Sequence, residues 1–397
     1  MAELSTRLCP VCNNNRVNII KKISFDIPPE FSLPNNYNVV SCVECGFSYA
    51  DTHAKMEDYD KYYSGFNVYS HTPIIGNGLT RYNMLKEAFE QYIQRDMTLI
   101  DIGTGSGEFD KELIEKGYRV IGVDPSGSSV KKLADLGIEG YIGSVYDQAI
   151  PYLRNKCNIV FLFDVMEHLL MPSLAIEHVK EYLDRDGKIF ISVPDYSKIS
   201  KNNTPIANNF NQEHINYFSD ISLNNLMIQK GFRKIFQKSV TIEDNGYKQF
   251  EMIEGYMLDS HIEPKIIKDT VTSCAIDQYI KLELKREHNQ LDVIKQLKLN
   301  QLPIMIWGAG AFTMHLFANT DLGSLNIRGY IDNNSNKAGQ EFGNDKNKFK
   351  IISPDQLSDD TVTILISSML YSKNIKEQIR RLGIRNNCIS LIDIKGE

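Results

Sequence analysis

From Thr98 to Val193 short apolar runs alternate with stretches of helical periodicity, and no other feature restricts the fold as strongly. The strand-like runs are Thr98 to Ile102, Val120 to Val123, Ile159 to Phe163 and Lys188 to Val193, with helical stretches through Lys116, around Ser129 to Leu136, and through Leu183. This alternation predicts a parallel sheet covered by helices on both faces, a doubly wound α/β domain. The first run ends in a carboxylate and continues as Asp101-Ile-Gly103-Thr104-Gly105-Ser-Gly107 into a helix. Glycine permits the tight strand-to-helix turn and lets a ligand rest on bare backbone. The second run ends in Asp124, 17 residues beyond Gly107, where a carboxylate can accept hydrogen bonds from ribose hydroxyls. These features suit a nucleoside-bearing cofactor, a nicotinamide dinucleotide included.

The flanks differ in character. Residues 1–75 are loop-rich, with Pro, Asn and Tyr throughout, and need a staple to stay folded. Cys9-Pro-Val-Cys12 and Cys42-Val-Glu-Cys45 are two knuckles separated by 29 residues. Four thiolates at that spacing can close a tetrahedron around a structural Zn²⁺ with no coordination position left for catalysis. The other cysteines, Cys157, Cys274 and Cys388, are isolated. The tyrosine-rich run from Asp58 to Tyr69 reads either as a lid over a site or as plain packing. Residues 241–300 are expected to be a helical connector, with helical spacing from Ile262 to Leu299. Residues 301–397 open a second α/β pattern: Ile304-Met-Ile-Trp-Gly308-Ala-Gly310-Ala-Phe-Thr313, then Asp332, 22 residues beyond Gly310. This has the form of a dinucleotide fingerprint with Thr313 in place of the third glycine.

At the end of the fourth run stands Asp164-Val-Met-Glu167-His168-Leu-Leu-Met-Pro172. With the strand-acid-GxGxG loop and Asp124 it resembles the class I S-adenosylmethionine-dependent methyltransferases, whose fourth-strand motif is DVxEHxxxP. The resemblance spans Thr98 to Val193. It implies that the Gly103 to Gly107 backbone and Thr104 face the methionine part, Asp124 the ribose, and Ser144 and Val145 the adenine edge. Asp101 closes the strand before the loop, and Asp164 lies near the methionine amino group. Ser144 stands where the superfamily usually has an acid, which leaves adenine to backbone groups or Asp147.

Beyond the fifth strand comes Asn211-Gln212-Glu213-His214-Ile-Asn216-Tyr217-Phe218, where a doubly wound sheet takes its substrate. Methyl transfer to carbon or oxygen requires positioning and removal of a proton from the acceptor, and a histidine has the appropriate basicity. His214 is the candidate base, with Glu213 and Tyr217 to orient or polarise and His168 as a further catalytic candidate. The whole plan resembles a narrower family, the nucleotide-sugar C-methyltransferases, which join a four-cysteine zinc module, a methyltransferase domain and a C-terminal Rossmann-like domain. Their Y-H-E-H-x-x-Y-F stretch is matched by Glu213, His214, Tyr217 and Phe218 but not by Asn211 and Gln212. Of their N-V-L-A-H motif, Val165 and His168 are kept here. The resemblance implies C-methylation of a nucleotide-linked ketosugar in carbohydrate biosynthesis.

The expected architecture is therefore a zinc module over 1–75, a doubly wound Rossmann-like methyltransferase domain over 76–240, the connector, and a second Rossmann-like domain that holds the substrate. That last domain has three readings: it binds NAD, it grips the nucleotide of the substrate, or it is scaffolding. O-methylation of a sugar, S-adenosylmethionine binding without catalysis, and a dehydrogenase remain alternatives. A chain of 397 residues exceeds what one core usually serves. Its 44 basic against 50 acidic residues argue against a nucleic acid as main partner and leave room only for a local basic patch. No apolar run is long enough for a membrane span and the start lacks the form of a signal peptide, so a cytoplasmic enzyme with a small-molecule substrate is expected.

Overall fold

The computed structural model describes residues 2–27, 31–65, 78–244, 247–368 and 370–391. Chain order begins with β1 (Glu3–Leu4), β2 (Arg16–Ser24), β3 (Asn36–Cys42) and β4 (Ser48–Asp51), then α1 (Met56–Gly65) and α2 (Gly78–Phe89). The alternating region follows as β5 (Thr98–Ile102), α3 (Glu108–Glu115), β6 (Arg119–Asp124), α4 (Gly127–Asp135), β7 (Glu139–Ile142), β8 (Cys157–Phe163), α5 (Pro172–Lys180) and β9 (Leu183–Pro194). After it come α6 (Ile206–Asn209), β10 (Asn216–Tyr217), α7 (Asp220–Gln229), β11 (Phe232–Asp244) and β12 (Tyr247–Leu258). The long helix α8 (Thr272–Asn300) leads to β13 (Pro303–Trp307), α9 (Ala311–Asn319), β14 (Asn326–Ile331), β15 (Glu341–Phe342), β16 (Phe349–Ile352), β17 (Thr363–Ile366), α10 (Ser372–Arg381) and β18 (Cys388–Ser390).

The central sheet has the order β11-β12-β9-β8-β5-β6-β7. Five strands from β9 to β7 are parallel, and β12 and β11 are added antiparallel. Strand order reverses between β5 and β8, which opens a crevice at their carboxyl ends. The hairpin corrects the expected boundary: residues 241–244 and 247–258 are not helical connector but part of this sheet. Residues 259–271 are also non-helical; α8 starts only where Asp269 accepts hydrogen bonds from the backbone of Val271 (2.9 Å) and Thr272 (3.0 Å).

The flanking units are not self-contained. The N-terminal sheet runs β1-β2-β3-β4-β10, so its last strand comes from the segment after His214. One core joins Ile23, Phe25, Tyr37 and Val39 of the N-terminal unit to Tyr196, Phe210, Tyr217, Ile276 and Tyr279, and on to Ile304, Phe312 and Tyr330. A second joins Cys9, Cys42, Cys45 and Phe47 to Val193, Phe218 and Met227. The expectation of separate cores fails because a 75-residue loop-rich unit has too little apolar surface to close one. The C-terminal sheet, β15-β16-β14-β13-β17-β18, is parallel except for β15. Along β13, Ile304 and Ile306 face the shared core, while Met305 and Trp307 face a smaller one with Ile375 and Ile379 of α10. Among the described residues no helix is long and apolar enough to cross a membrane.

Candidate active site

A cavity of about 410 Å³ lies over the carboxyl ends of β5, β6 and β8. Gly103 and Gly105 form its floor, Asp124 stands at the end of β6, Ser144 and Val145 follow β7, and Asp164 ends β8. Gly103 has φ +84°, and a Cβ there would lie 2.6 Å from Val165 Cγ2. Gly105 has φ +57°, and a Cβ there would approach nothing closer than 4.0 Å, so its bare backbone faces free space. The backbone N–H of Gly105 donates to Asp124 Oδ2 (2.9 Å) and that of Ser126 to Oδ1 (2.8 Å). Each oxygen keeps a lone pair for a ribose hydroxyl. Burial raises the Asp124 pKa against these two bonds. In the loop after β7, the Ser144 N–H donates to Asp147 Oδ2 (2.6 Å). Asp147 thus shapes the loop, and the Ser144 amide is already committed.

Three sequence candidates lie behind this wall. Gly107 caps α3. Thr104 donates its hydroxyl to Asp110 of α3, and Asp101 is buried beside that same carboxyl. Burial, and then each other's presence, pushes Asp101 well above the usual carboxylate range, and burial raises Asp110 as well. The pair supports the loop from below, where only Gly103 and Gly105 reach the cavity.

The opposite wall carries charge that sequence reading missed. Arg81 of α2 donates to Asp164 Oδ2 (2.7 Å), to Ser192 Oγ (2.8 Å) and to both oxygens of Glu251 on β12 (3.0 and 3.2 Å). Burial works against the Arg81 charge, but Asp164 and Glu251 more than compensate. Asp164 itself has φ +57°, a left-handed conformation that aspartate tolerates better than most residues and that accumulates at functional sites. A clue did exist: Glu251 and Glu254 interrupt an apolar strand, and a buried carboxylate demands a partner.

His168 and His214 meet in this cavity with ring centroids 4.8 Å apart and planes at 85°. His168 belongs to the turn Met166–His168 after β8; His214 belongs to the loop before β10. Asn211 Oδ1 accepts from the backbone N–H groups of Glu213 (2.8 Å) and His214 (2.7 Å), which fixes that loop. The donor atoms of Glu167, His168 and His214 all lie within 4.8 Å of one another. Burial lowers His168 to about 4, and burial followed by the neighbouring His168 lowers His214 to about 3. Both rings are therefore neutral near pH 7, with lone pairs able to take a proton. Glu213 points away from the cavity and accepts from the Tyr62 hydroxyl. Tyr217 is fully buried in the shared core against Tyr196 and Phe210, so it reaches no ligand in the cavity. From α1, Met56, Tyr59, Asp60 and Tyr63 cover the cavity, and the Tyr63 hydroxyl lies 3.2 Å from His168 Nδ1. The remainder of the tyrosine-rich run, 66–69, falls outside the described residues.

A residue outside every motif joins these loops. The buried Arg7 guanidinium donates to the carbonyls of Leu169 (3.1 Å), Leu170 (2.6 and 3.1 Å), Ile215 (3.1 Å) and Ala50 (3.3 Å) and to Asn216 Oδ1 (2.8 Å). Asn216 in turn donates to the carbonyls of Met166 (2.8 Å) and Leu169 (2.7 Å). Arg7 lies two residues before Cys9. The four cysteine sulfurs lie within 4.8 Å of one another, with Cys9 to Cys45 and Cys12 to Cys42 at 3.5 Å. A tetrahedral Zn²⁺ with Zn–S bonds of about 2.3 Å needs sulfurs about 3.8 Å apart, so the donor set fits.

The C-terminal fingerprint is closed on itself. Asp332 Oδ2 accepts from the Ala309 N–H (3.0 Å) and from Lys337 Nζ (3.4 Å), and Lys337 also donates to the Ala309 carbonyl (2.8 Å). No described residue beyond 300 lines the cavity, which is a cleft between the central sheet, α1 and the segment carrying α6.

Residues 80–237 match the family described as a methyltransferase domain, and residues 300–390 match one described as C2185-like, N-terminal. A solved S-adenosylmethionine-dependent methyltransferase from Methanosarcina mazei is 14% identical; the match covers 43% of this chain and 96% of that one, with a TM-score of 0.37. The Burkholderia thailandensis 1,6-didemethyltoxoflavin-N1-methyltransferase, solved with 1,6-didemethyltoxoflavin and S-adenosylhomocysteine, is 14% identical over 55% of this chain and 98% of that one, with a TM-score of 0.39. No curated protein matches the chain. The methyltransferase family match falls on the residues that carry the glycine loop, Asp124 and the two histidines, and residues 80–237 are accordingly a methyltransferase domain.

Proposed function

We propose that this methyltransferase acts on a carbon next to the keto group of a nucleotide-linked sugar, with His214 as general base. The observation that carries the reading is the meeting of two neutral, buried histidines in the same cavity as the glycine loop and Asp124. The bound cofactor supplies an electrophilic methyl group. Asp124 would hold its ribose, the Gly103 to Gly105 backbone would face its methionine part, and Asp164, itself fixed by Arg81, would face the methionine amino group. His214 takes the proton from the acceptor carbon, and Asp164 and Glu213 favour the resulting imidazolium electrostatically. Amide side chains of Asn202, Asn208, Asn209 and Gln249, beside Tyr196 and Phe250, offer the mixture of hydrogen bonds and aromatic faces that suits a sugar. The four cysteines would hold a structural Zn²⁺. The C-terminal unit supports the site from outside, since α9 packs against α6, which carries Asn208 and Asn209.

Solvent exchange tests this reading. Purified protein is incubated in D₂O with a nucleotide-linked 4-keto-6-deoxyhexose, without methyl donor. The wild type should incorporate deuterium next to the carbonyl and His214→Ala should not. An accepted ketosugar that never exchanges, or a product methylated on oxygen, would refute it.

A further inference from the structure

Glu167 has no task in that reading, yet its environment is unusual. Its side chain is 2% exposed and borders the cavity, and Oε2 is buried without a hydrogen-bond partner. Oε1 lies 3.8 Å from His168 Nε2. The opposite ring nitrogen, Nδ1, is 3.1 Å from the Glu213 carbonyl, which can only accept, so Nδ1 carries the ring proton and Nε2 presents its lone pair to Glu167. An ionised carboxylate would face that lone pair with repulsion; a carboxylic acid would not. The charged groups on the neighbouring elements point the same way. Asp164 at the end of β8 and Glu251 on β12 are carboxylates on the same wall. Arg81 of α2 is the sole cation among the described residues lining the cavity, and it is committed to those two carboxylates. Burial, and then Asp164, pushes the Glu167 carboxyl well above its usual range.

We propose that Glu167 is held as a neutral carboxylic acid whose O–H donates to the acceptor oxygen on which negative charge develops, the role of a donor in an oxyanion hole. This rests on the ketosugar reading and deepens it. As His214 takes the proton from carbon, the C–H electron pair moves into an enolate and the charge falls on oxygen, opposite the Glu167 hydroxyl. The enolate carbon then bonds to the methyl carbon, the C–S bond breaks with its electron pair going to sulfur, and the carbonyl re-forms. Glu167 keeps its proton throughout, and His214 releases its own to solvent. A buried acid kept neutral so that it can donate a hydrogen bond is an established solution to this problem, and loss of one such donor costs about 10²- to 10³-fold in rate.

Two measurements on the full chain test the proposal. An infrared difference spectrum between the ligand-free wild type and Glu167→Gln at neutral pH should show the carbonyl stretch of a protonated carboxyl lost in the variant; its absence would overturn the proposal whatever the substrate is. In the exchange assay Glu167→Gln, which keeps an N–H donor, should stay within about 10-fold of wild type, whereas Glu167→Ala should lose about 100-fold or more. Calorimetry with S-adenosylhomocysteine shows whether each variant keeps its cofactor site. Equal exchange by Glu167→Ala would overturn the donor role. So would a divalent ion, additional to the four-cysteine metal, that the wild type holds and Glu167→Ala loses, because ligation needs the ionised carboxylate. If the wild type exchanges no ketosugar at all, it is the ketosugar reading that fails, and the infrared band still decides the protonation of Glu167.

Discussion

Replacing Arg7 with alanine should damage the catalytic cavity, although Arg7 touches no ligand and sits in the cysteine unit. Its guanidinium makes six hydrogen bonds to five oxygens, none of them on a carboxylate. Burial lowers its pKa, so the hydrogen bonds to carbonyl dipoles must repay most of the desolvation. Truncation takes a donor from each of those five acceptors in a dry site, of which the Leu169 carbonyl keeps the Asn216 amide (2.7 Å) and the Ile215 carbonyl keeps the Ala50 N–H (2.9 Å). An unsatisfied buried acceptor costs about 1–3 kcal/mol, partly recovered if water enters, while the cost of burying the charge disappears. With at most three acceptors left unsatisfied, a net loss of about 3 kcal/mol is therefore expected. At about 2–4 °C per kcal/mol, the unfolding midpoint should fall by about 6 °C or more. Arg7→Lys should recover little, because an ammonium cannot reach five divergent oxygens as a planar fork does. The variant should also lose turnover beyond its loss of stability, since Leu169, Leu170 and Ile215 fix the loops that bring His168 to His214, and displacement of about 1 Å can cost 10²-fold. Thermal unfolding of the two variants, with the exposed Arg16→Ala as control, checks this. An Arg7→Ala midpoint within 2 °C of wild type, about the shift of 1 kcal/mol, would refute the argument.

Two further outcomes follow from the geometry. Cys42→Ser should abolish binding of about one zinc per chain, measured by elemental analysis; a wild type without stoichiometric zinc, or a variant that retains it, would contradict the assignment. Burial pushes Asp110 up to about 7, so the folded chain holds a proton there that the unfolded chain releases near pH 4. Stability from this group is present below pH 4 and is lost as pH rises towards 7. Asp110→Asn should therefore lose less stability than wild type between pH 5 and 8, read from urea midpoints, and an unchanged pH dependence would count against the buried pair.

The sequence was legible where neighbours in the chain are neighbours in space. The runs from Thr98 to Val193 carry their own periodicity, and the cavity wall of Gly103, Gly105 and Asp124 follows from strand ends that any doubly wound sheet places together. The hairpin β11–β12 was not legible. Six consecutive residues of β12, Glu251 to Tyr256, are buried, and two of them are glutamates whose partners, Arg81 and Lys234, come from other elements. No period-two pattern survives in such a strand. Arg81 lies 170 residues from Glu251 and reads in isolation as an ordinary surface arginine of a helix. Tyr217 shows the converse error: it matches a family motif by letter, but in β10 its side chain turns into the core while His214, three residues earlier, enters the cavity.

The same long-range couplings explain why the chain cannot be divided at the boundaries its sequence suggests. A doubly wound sheet leaves its crevice open to water, and the transfer proposed above, which would depend on weakly basic, buried histidines, needs that crevice covered. Covering it takes α1 from the N-terminal unit, which brings Tyr59 and Tyr63 over the cavity, and the loop before β10, which brings His214. Neither segment has a core of its own. The first is held by the sheet that β10 completes, with Arg7 binding that sheet to the turn carrying His168; the second is held by α6, which rests on α9 of the C-terminal unit. The cysteine knuckle is fastened in the same way: a Cβ on Gly46 would lie 1.9 Å from the Asp269 carbonyl, and Asp269 fixes both the start of α8 and, through Ser219 Oγ (2.5 Å), the start of α7. A metal held by the four cysteines would therefore bear on the distance between the two histidines, because every segment between them is anchored at both ends.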